Sequence, residues 1–188
     1  LMRSSAASDV YKRQDVGTLG SYWEANMELI DIIPEFNLYE EYWKIYTKSD
    51  ITPPQYIAAD AKVERSIIGE GTEVYGQVIN SVIGAGVTIA KDAVVKDSIV
   101  MKGSVVGKGT VVEKAIVAEN VTIGENAHLG VGEYAPSKYD PKVYQSDLVT
   151  IGENSVIPDG VKIGKNTAIA GETVAEDYQD GLLASGDY

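Results

Sequence analysis

The chain has 188 residues, 44% of them hydrophobic, and its 16 basic and 28 acidic side chains give a net charge of −12. That size suits one domain, or one domain with a remnant of another, and the acidic balance argues against nucleic acid and anionic membrane, which both need clustered Lys or Arg. No apolar run approaches the roughly 18–20 residues that span a bilayer, no secretory signal is recognisable, and the lack of cysteine removes disulfide and thiolate chemistry, so the cytoplasm is the expected location.

Leu1 to Gln14 has neither a hydrophobic period nor a cap. Asp9-Val10-Tyr11-Lys12-Arg13-Gln14 resembles a translated sequencing adapter: the transposon mosaic end encodes those six residues in order. Residues 1–14 are therefore expected to be a non-native tail fused to a genuine gene fragment, so that whatever precedes Asp15 in the natural protein is missing.

Residues 15–50 form the second segment. Thr18 is a plausible N-cap, and Leu19 to Ile30 carries apolar residues at Leu19, Tyr22 or Trp23, Asn26 or Met27, and Ile30, which predicts an amphipathic helix. Pro34 closes it. Asn37 followed by Glu40 is a loose capping box, so a second short helix is expected to run to Ile45. Both Trp, the only Phe and six of the twelve Tyr precede residue 60. Tyr22, Trp23, Tyr39, Tyr42, Trp43 and Tyr46 are expected to pack, covering the start of the next domain or facing a neighbouring one. Pro53-Pro54 marks the boundary.

From there the pattern changes. Ile57, Val63, Ile68, Val74, Ile83, Ile89, Val95, Val100, Val106, Val112, Val117, Ile123 and Leu129 recur about every six residues, and the ladder resumes at Ile151, Ile157, Ile163 and Ile169. Six fits neither a helix nor a simple strand; it is the hexapeptide signature of a parallel β-helix. The expected fold is all-β over residues 51–175, with about 18 residues per triangular turn, one aliphatic per hexad pointing inward, and turns stacked at about 4.8 Å. Units starting at Ser66, Ser81, Ser98 and Ala115 repeat at 15, 17 and 17 residues. Gly69, Gly71, Gly84, Gly86, Gly107, Gly109 and Gly124 are read as corners needing backbone angles other residues resist.

Gly132 to Asp147 interrupts the ladder with Tyr134, Pro136, Tyr139, Pro141 and Tyr144. It is expected to project as a loop, and contact with a neighbouring subunit is its preferred use. Residues 176–188 are read as a polar tail. Exposed ends of a β-helix need caps; the helices before Pro53 are expected at one end and the stretch after Glu172 at the other.

Three motifs tempt and fail. Gly103-Ser104-Val105-Val106-Gly107-Lys108-Gly109-Thr110 has the wrong glycine spacing for a P-loop, and no helix pattern follows. His128, the sole histidine, could serve as the base of a hexapeptide acyltransferase, but stands without a surrounding acyltransferase motif and reads as a surface or packing residue. A zinc-dependent β-helix carbonic anhydrase would need several His ligands, and one His rules that out.

Asp15-Val16-Gly17-Thr18 with Tyr22-Trp23-x-Ala25-Asn26 resembles the last segment of the nucleotidyltransferase domain of ADP-glucose pyrophosphorylases (glucose-1-phosphate adenylyltransferases). Ile45-Tyr46-Thr47 with Pro53-Pro54-Gln55-Tyr56 resembles their link into a carboxy-terminal β-helix, and Ile157-Pro158-Asp159-Gly160 fits its end. The resemblance covers Asp15 to about Gly171. It implies a left-handed coil preceded by a helical remnant of an α/β nucleotidyltransferase domain. It also implies a parent enzyme that turns ATP and glucose 1-phosphate into ADP-glucose and pyrophosphate for glycogen synthesis, as a tetramer whose coil serves assembly and allosteric response. Asp15 resembles one of two carboxylates that hold Mg²⁺ at the nucleotide phosphates, where the metal would offset charge during phosphoryl transfer. The family has aromatic residues just before that motif, whereas this chain has Lys12-Arg13-Gln14. The family's glycine-rich loop and second metal carboxylate have no counterpart here, so the chain alone is expected to be inactive. A regulatory paralogue, a GTP- or UTP-using pyrophosphorylase and an acetyl-CoA acyltransferase are the alternatives. Lys91 with Lys96, or Lys162 with Lys165, are weak basic pairs for an anionic effector.

Overall fold

The computed structural model describes residues 16–31, 34, 38, 41–42 and 51–188. The expected second helix from Asn37 falls largely outside them, as does the 1–14 tail. Helix α1 spans Leu19–Glu28, with Thr18 as its N-cap. Thr18 Oγ1 accepts from the Ser21 amide at 3.1 Å, and Ser21 Oγ accepts from the Thr18 amide at 3.1 Å, so two orphan donors of the first turn are satisfied reciprocally.

From Tyr56 onward the chain winds through short parallel strands on three faces. The first face has six strands, beginning at Tyr56, Glu73, Thr88, Val105, Thr122 and Val156. The second has seven, beginning at Lys62, Gln77, Val94, Val111, His128, Lys162 and Leu182. The third has six, beginning at Ile67, Val82, Ile99, Ala115, Val149 and Ala168. Hydrogen-bonded neighbours are never consecutive in sequence, which is the parallel β-helix the hexad period predicts.

The ladder forms the core. Val74, Ile89, Val106, Ile123 and Ile157 fill it from the first face, Val95, Val112, Leu129 and Ile163 from the second, and Ile83, Val100, Val117, Ile151 and Ile169 from the third; all are buried. Val78 completes the second face and is fully buried too. The regular ladder steps over it because Val74 and Val78 are only four apart, with Gly76 in the corner pressed against the Ala90 and Ala93 carbonyls of the next turn. The first rung departs from expectation: Ile57 is exposed and Val63 and Ile68 are half-buried. No rung precedes them among the described residues, so one side of each lacks partners.

Turn length also departs from 18. Register runs Thr88 to Val105 and Ile99 to Ile116, a step of 17, and Lys62 to Gln77, a step of 15. The missing residue lies in the corner between the second and third faces. Val95 and Val100, or Val112 and Val117, are five apart, and one residue in the left-handed region makes that bend: Arg65, Asn80, Asp97 and Lys114 in successive turns.

Stacked small residues tie the turns together. Ser81 and Ser98 are fully buried. The amide of Ser81 donates to Ser66 Oγ at 3.1 Å, that of Ser98 to Ser81 Oγ at 3.2 Å, and that of Ala115 to Ser98 Oγ at 3.1 Å. Each hydroxyl in turn donates to the carbonyl two residues back at 2.7 Å. Buried backbone groups are thereby paired where the strand ladder stops at the corner.

The corner glycines divide into two kinds. Gly71, Gly86 and Gly109 sit at positive φ, as expected. Gly69, Gly84, Gly107 and Gly124 do not; they are needed because a Cβ there would strike the backbone of the adjoining turn.

At the far end, residues 176–188 do more than trail off. Leu182–Leu183 adds the seventh strand of the second face by pairing with Lys162–Gly164. Tyr178 is buried, and Leu183 packs against the core.

Candidate functional site

Helix α1 lies on the third face of the coil. Leu19, Tyr22, Trp23 and Met27 pack with Met101 against buried Ile99, Ile116 and Leu148. Trp23 donates its indole N–H to the Asp97 carbonyl at 2.8 Å, and the Lys114 ammonium sits 5.7 Å from its ring centroid. Arg65 pairs with Asp31 at 3.0 Å, just past the helix. The aromatics of α1 therefore cover the side of the coil, not its first rung or open end. The physical reason is the outward column of this face: Ile67, Val82, Ile99 and Ile116 stack in register and leave an apolar stripe that only another element can bury.

Asp15 lies outside the described residues, immediately before the segment that caps α1. Among the described residues no group of three or more His, Cys, Asp or Glu side chains is placed to hold a metal ion. Beside α1, a cleft of about 290 Å³ opens between its first turn (Thr18, Gly20, Ser21, Glu24) and the inserted loop (Val143, Gln145, Ser146).

The insertion stretches one turn from 17 to 34 residues, with Ile116 meeting Thr150 and Thr122 meeting Val156. Its inner side is held by its own chain. Lys138 donates its amide to the Gly186 carbonyl at 2.7 Å and its ammonium to Asp187 at 2.8 Å. Asn166 Nδ2 donates to the Ala135 carbonyl at 2.9 Å, and Lys114 pairs with Asp147 at 2.6 Å. Where the loop meets the carboxy-terminal segment, a cavity of about 430 Å³ forms, walled by Tyr139, Tyr144, Tyr178 and Tyr188 with Thr150 and Asp177. Tyr139 stands 6.1 Å from Tyr144 and 5.2 Å from Tyr188, ring centre to ring centre. Burial pushes the Tyr178 phenol up from its ordinary range; nearby Asp177 adds to this, and the 2.9 Å hydrogen bond to Thr173 opposes it. Burial likewise raises Tyr144.

The remaining motifs resolve as coil. His128 is exposed on the outer side of the second face, in register with Val111 and Lys162. Gly103 to Thr110 makes two corners and a strand, with Val106 buried between them. Lys96 is engaged by Glu113 at 2.8 Å, and that bond holds its ammonium pKa above the usual value. Sequence reasoning missed the meeting of Tyr139 and Tyr144 with Tyr178 and Tyr188. The available signal was the aromatic content of the loop and tail against an otherwise aliphatic coil.

The family described as "GlmU-like, C-terminal hexapeptide" matches residues 53–151. The chain is similar to a glucose-1-phosphate adenylyltransferase of Lachnospira eligens, 72% identical over 173 residues, covering 92% of this chain and 41% of the relative. Enzymes of the same name from Thermotoga sp. (strain RQ2), 58% identical over 175 residues, and Acetivibrio thermocellus, 44% over 165 residues, cover 93% and 88% of this chain. Those matches take in 41% and 39% of the relatives' own lengths. The chain thus spans about two fifths of the curated relatives it matches, and corresponds to their carboxy-terminal part.

Proposed function

The chain belongs to the GlmU-like, C-terminal hexapeptide family, and from that premise we propose that it is the carboxy-terminal part of a glucose-1-phosphate adenylyltransferase acting in glycogen synthesis. The observation that carries this reading is the extent of the 72% match. Its 173 residues exceed the coil and must take in α1. A hexapeptide coil alone would fit many transferases; a coil joined to this capped, tryptophan-bearing helix is more specific.

In this reading the parent is a cytoplasmic enzyme that joins ATP and glucose 1-phosphate, and Asp15 contributes one carboxylate to its magnesium. The coil serves subunit assembly and the response to metabolites. Helix α1 is the mechanical link, since its apolar face and Trp23 fix the end of the catalytic lobe to the third face of the coil. The chain by itself is inactive, because one carboxylate without a phosphate cradle cannot position a triphosphate.

The test is to assay a full-length protein carrying this sequence as its carboxy-terminal part, with ATP, glucose 1-phosphate and magnesium. ADP-glucose and pyrophosphate should form, and Asp15→Asn should lower turnover by at least about tenfold. Acetyl transfer from acetyl-CoA with no ADP-glucose formation would overturn the reading. ADP-glucose formation by the 188-residue chain alone would overturn its predicted inactivity.

A further inference from the structure

The cavity between the inserted loop and the carboxy-terminal segment combines three features. Its volume, about 430 Å³, is in the range of small-ligand sites. Its wall carries four phenol rings, those of Tyr139, Tyr144, Tyr178 and Tyr188, whose faces are electron-rich, beside aliphatic Ile169 and Leu183. Its one charged wall side chain is that of Asp177. Lys138 lies next to Tyr139, but its ammonium is neutralised by Asp187 at 2.8 Å. Thr150, in the same wall, has the one buried side-chain oxygen without a hydrogen-bond partner among the described residues.

An anionic sugar phosphate would find no cation to pair with here. An uncharged apolar ligand would gain nothing from the Asp177 carboxylate. A cation with an apolar body matches both the ring faces and the carboxylate, and the surplus of acidic residues favours its approach. We propose that this cavity binds a small alkylammonium ligand, its cationic head against the tyrosine rings and Asp177. The site rests on residues of this chain alone, independently of the catalytic reading.

Local geometry supports a preformed site. Asp177 Oδ2 already accepts from the Val174 amide at 2.9 Å, which fixes the carboxylate. Tyr178 is anchored by burial and by Thr173. Tyr139 and Tyr188 are exposed by 63% and 65%, so they form the rim through which a ligand enters.

Saturation-transfer NMR on the 188-residue chain tests this, with choline as probe and 3,3-dimethyl-1-butanol as its uncharged isostere. Choline should show saturable binding, with the isostere at least about fivefold weaker. Tyr188→Ala and Asp177→Asn should each weaken choline by about fivefold or more, while the melting temperature stays within a few degrees. Both positions suit the test: Tyr188 is exposed, and the Asn carbonyl can still accept from Val174. Inorganic phosphate should not compete. The proposal is overturned if choline shows no saturable binding, if the isostere binds equally well, or if both variants bind choline like the parent.

Discussion

Trp23 and Asp97 are 74 residues apart, yet the indole N–H of one donates to the backbone carbonyl of the other at 2.8 Å. Asp97 is one of the left-handed corner residues. Its carbonyl points out of the coil because the five-residue corner turns it away from the strand ladder. The helix and the coil thus meet at the place where the repeat departs from six.

Trp23→Ala should therefore undock α1 without unfolding the coil. The lost burial and hydrogen bond amount to about 2–4 kcal/mol for a partly buried Trp. Hydrogen exchange should accelerate over Leu19–Glu28, while protection at Val95, Val106 and Val112 persists. Trp23→Phe keeps most of the apolar contact and should show a smaller effect. Equal loss of protection in helix and coil would contradict local docking.

Ser98 sits in the middle of the serine column. Its hydroxyl accepts from the Ala115 amide and donates to the Lys96 carbonyl. Ser98→Ala would leave the Ala115 amide buried without that partner, while the Lys96 carbonyl keeps the Lys114 amide, at a cost of about 1–3 kcal/mol. Urea unfolding should show a lower midpoint with an unchanged slope. Ala115 already occupies the next position in the column, so Ala is sterically acceptable there and the loss reports hydrogen bonding.

Two glycines separate the reasons for having glycine. Gly160 has φ +72 with open space around its Cβ position, so Gly160→Ala should cost only the left-handed penalty of about 1–2 kcal/mol. Gly107 is not at positive φ, but a Cβ there would land on the carbonyl of Gly124. Backbone must move to admit it, and Gly107→Ala should destabilise by several kcal/mol, as overpacked sites do. Thermal melts of the two variants should differ by many degrees; similar melts would refute the distinction.

The coil was legible because each hexad repeats one physical requirement, an aliphatic residue inside and a tight corner after it. Where the requirement varies, the six-residue count fails. Val78 falls outside that count because its corner is shortened by Gly76, and a turn takes 17 residues instead of 18 because Asn80, Asp97 and Lys114 bend the chain in fewer residues. Helix α1 was readable from Thr18 and its apolar spacing, but its docking face was not. That needed the outward-facing Ile99 and Ile116 of the third face to be recognised as covered. The tyrosine cavity was invisible for another reason: Tyr139 and Tyr188 lie 49 residues apart, and only the return of the tail as a strand brings them together.

That returning tail carries a pH-dependent contribution. Burial raises the Tyr178 phenol above its ordinary value near 10. The native state therefore holds this proton more tightly than the unfolded chain does. The stabilisation is present in full below about pH 10 and is lost as pH rises through the higher folded-state value. Stability should be flat near Tyr178 from neutral pH to about 9 and fall above 10. Tyr178→Phe cannot ionise, so its urea midpoint should fall less between pH 9 and 11 than that of the parent chain. Tyr144 is raised by burial in the same sense, so Tyr144→Phe combined with Tyr178→Phe should flatten the alkaline limb further. An alkaline limb identical in the parent and the double variant would show that neither phenol is shielded as the cavity requires.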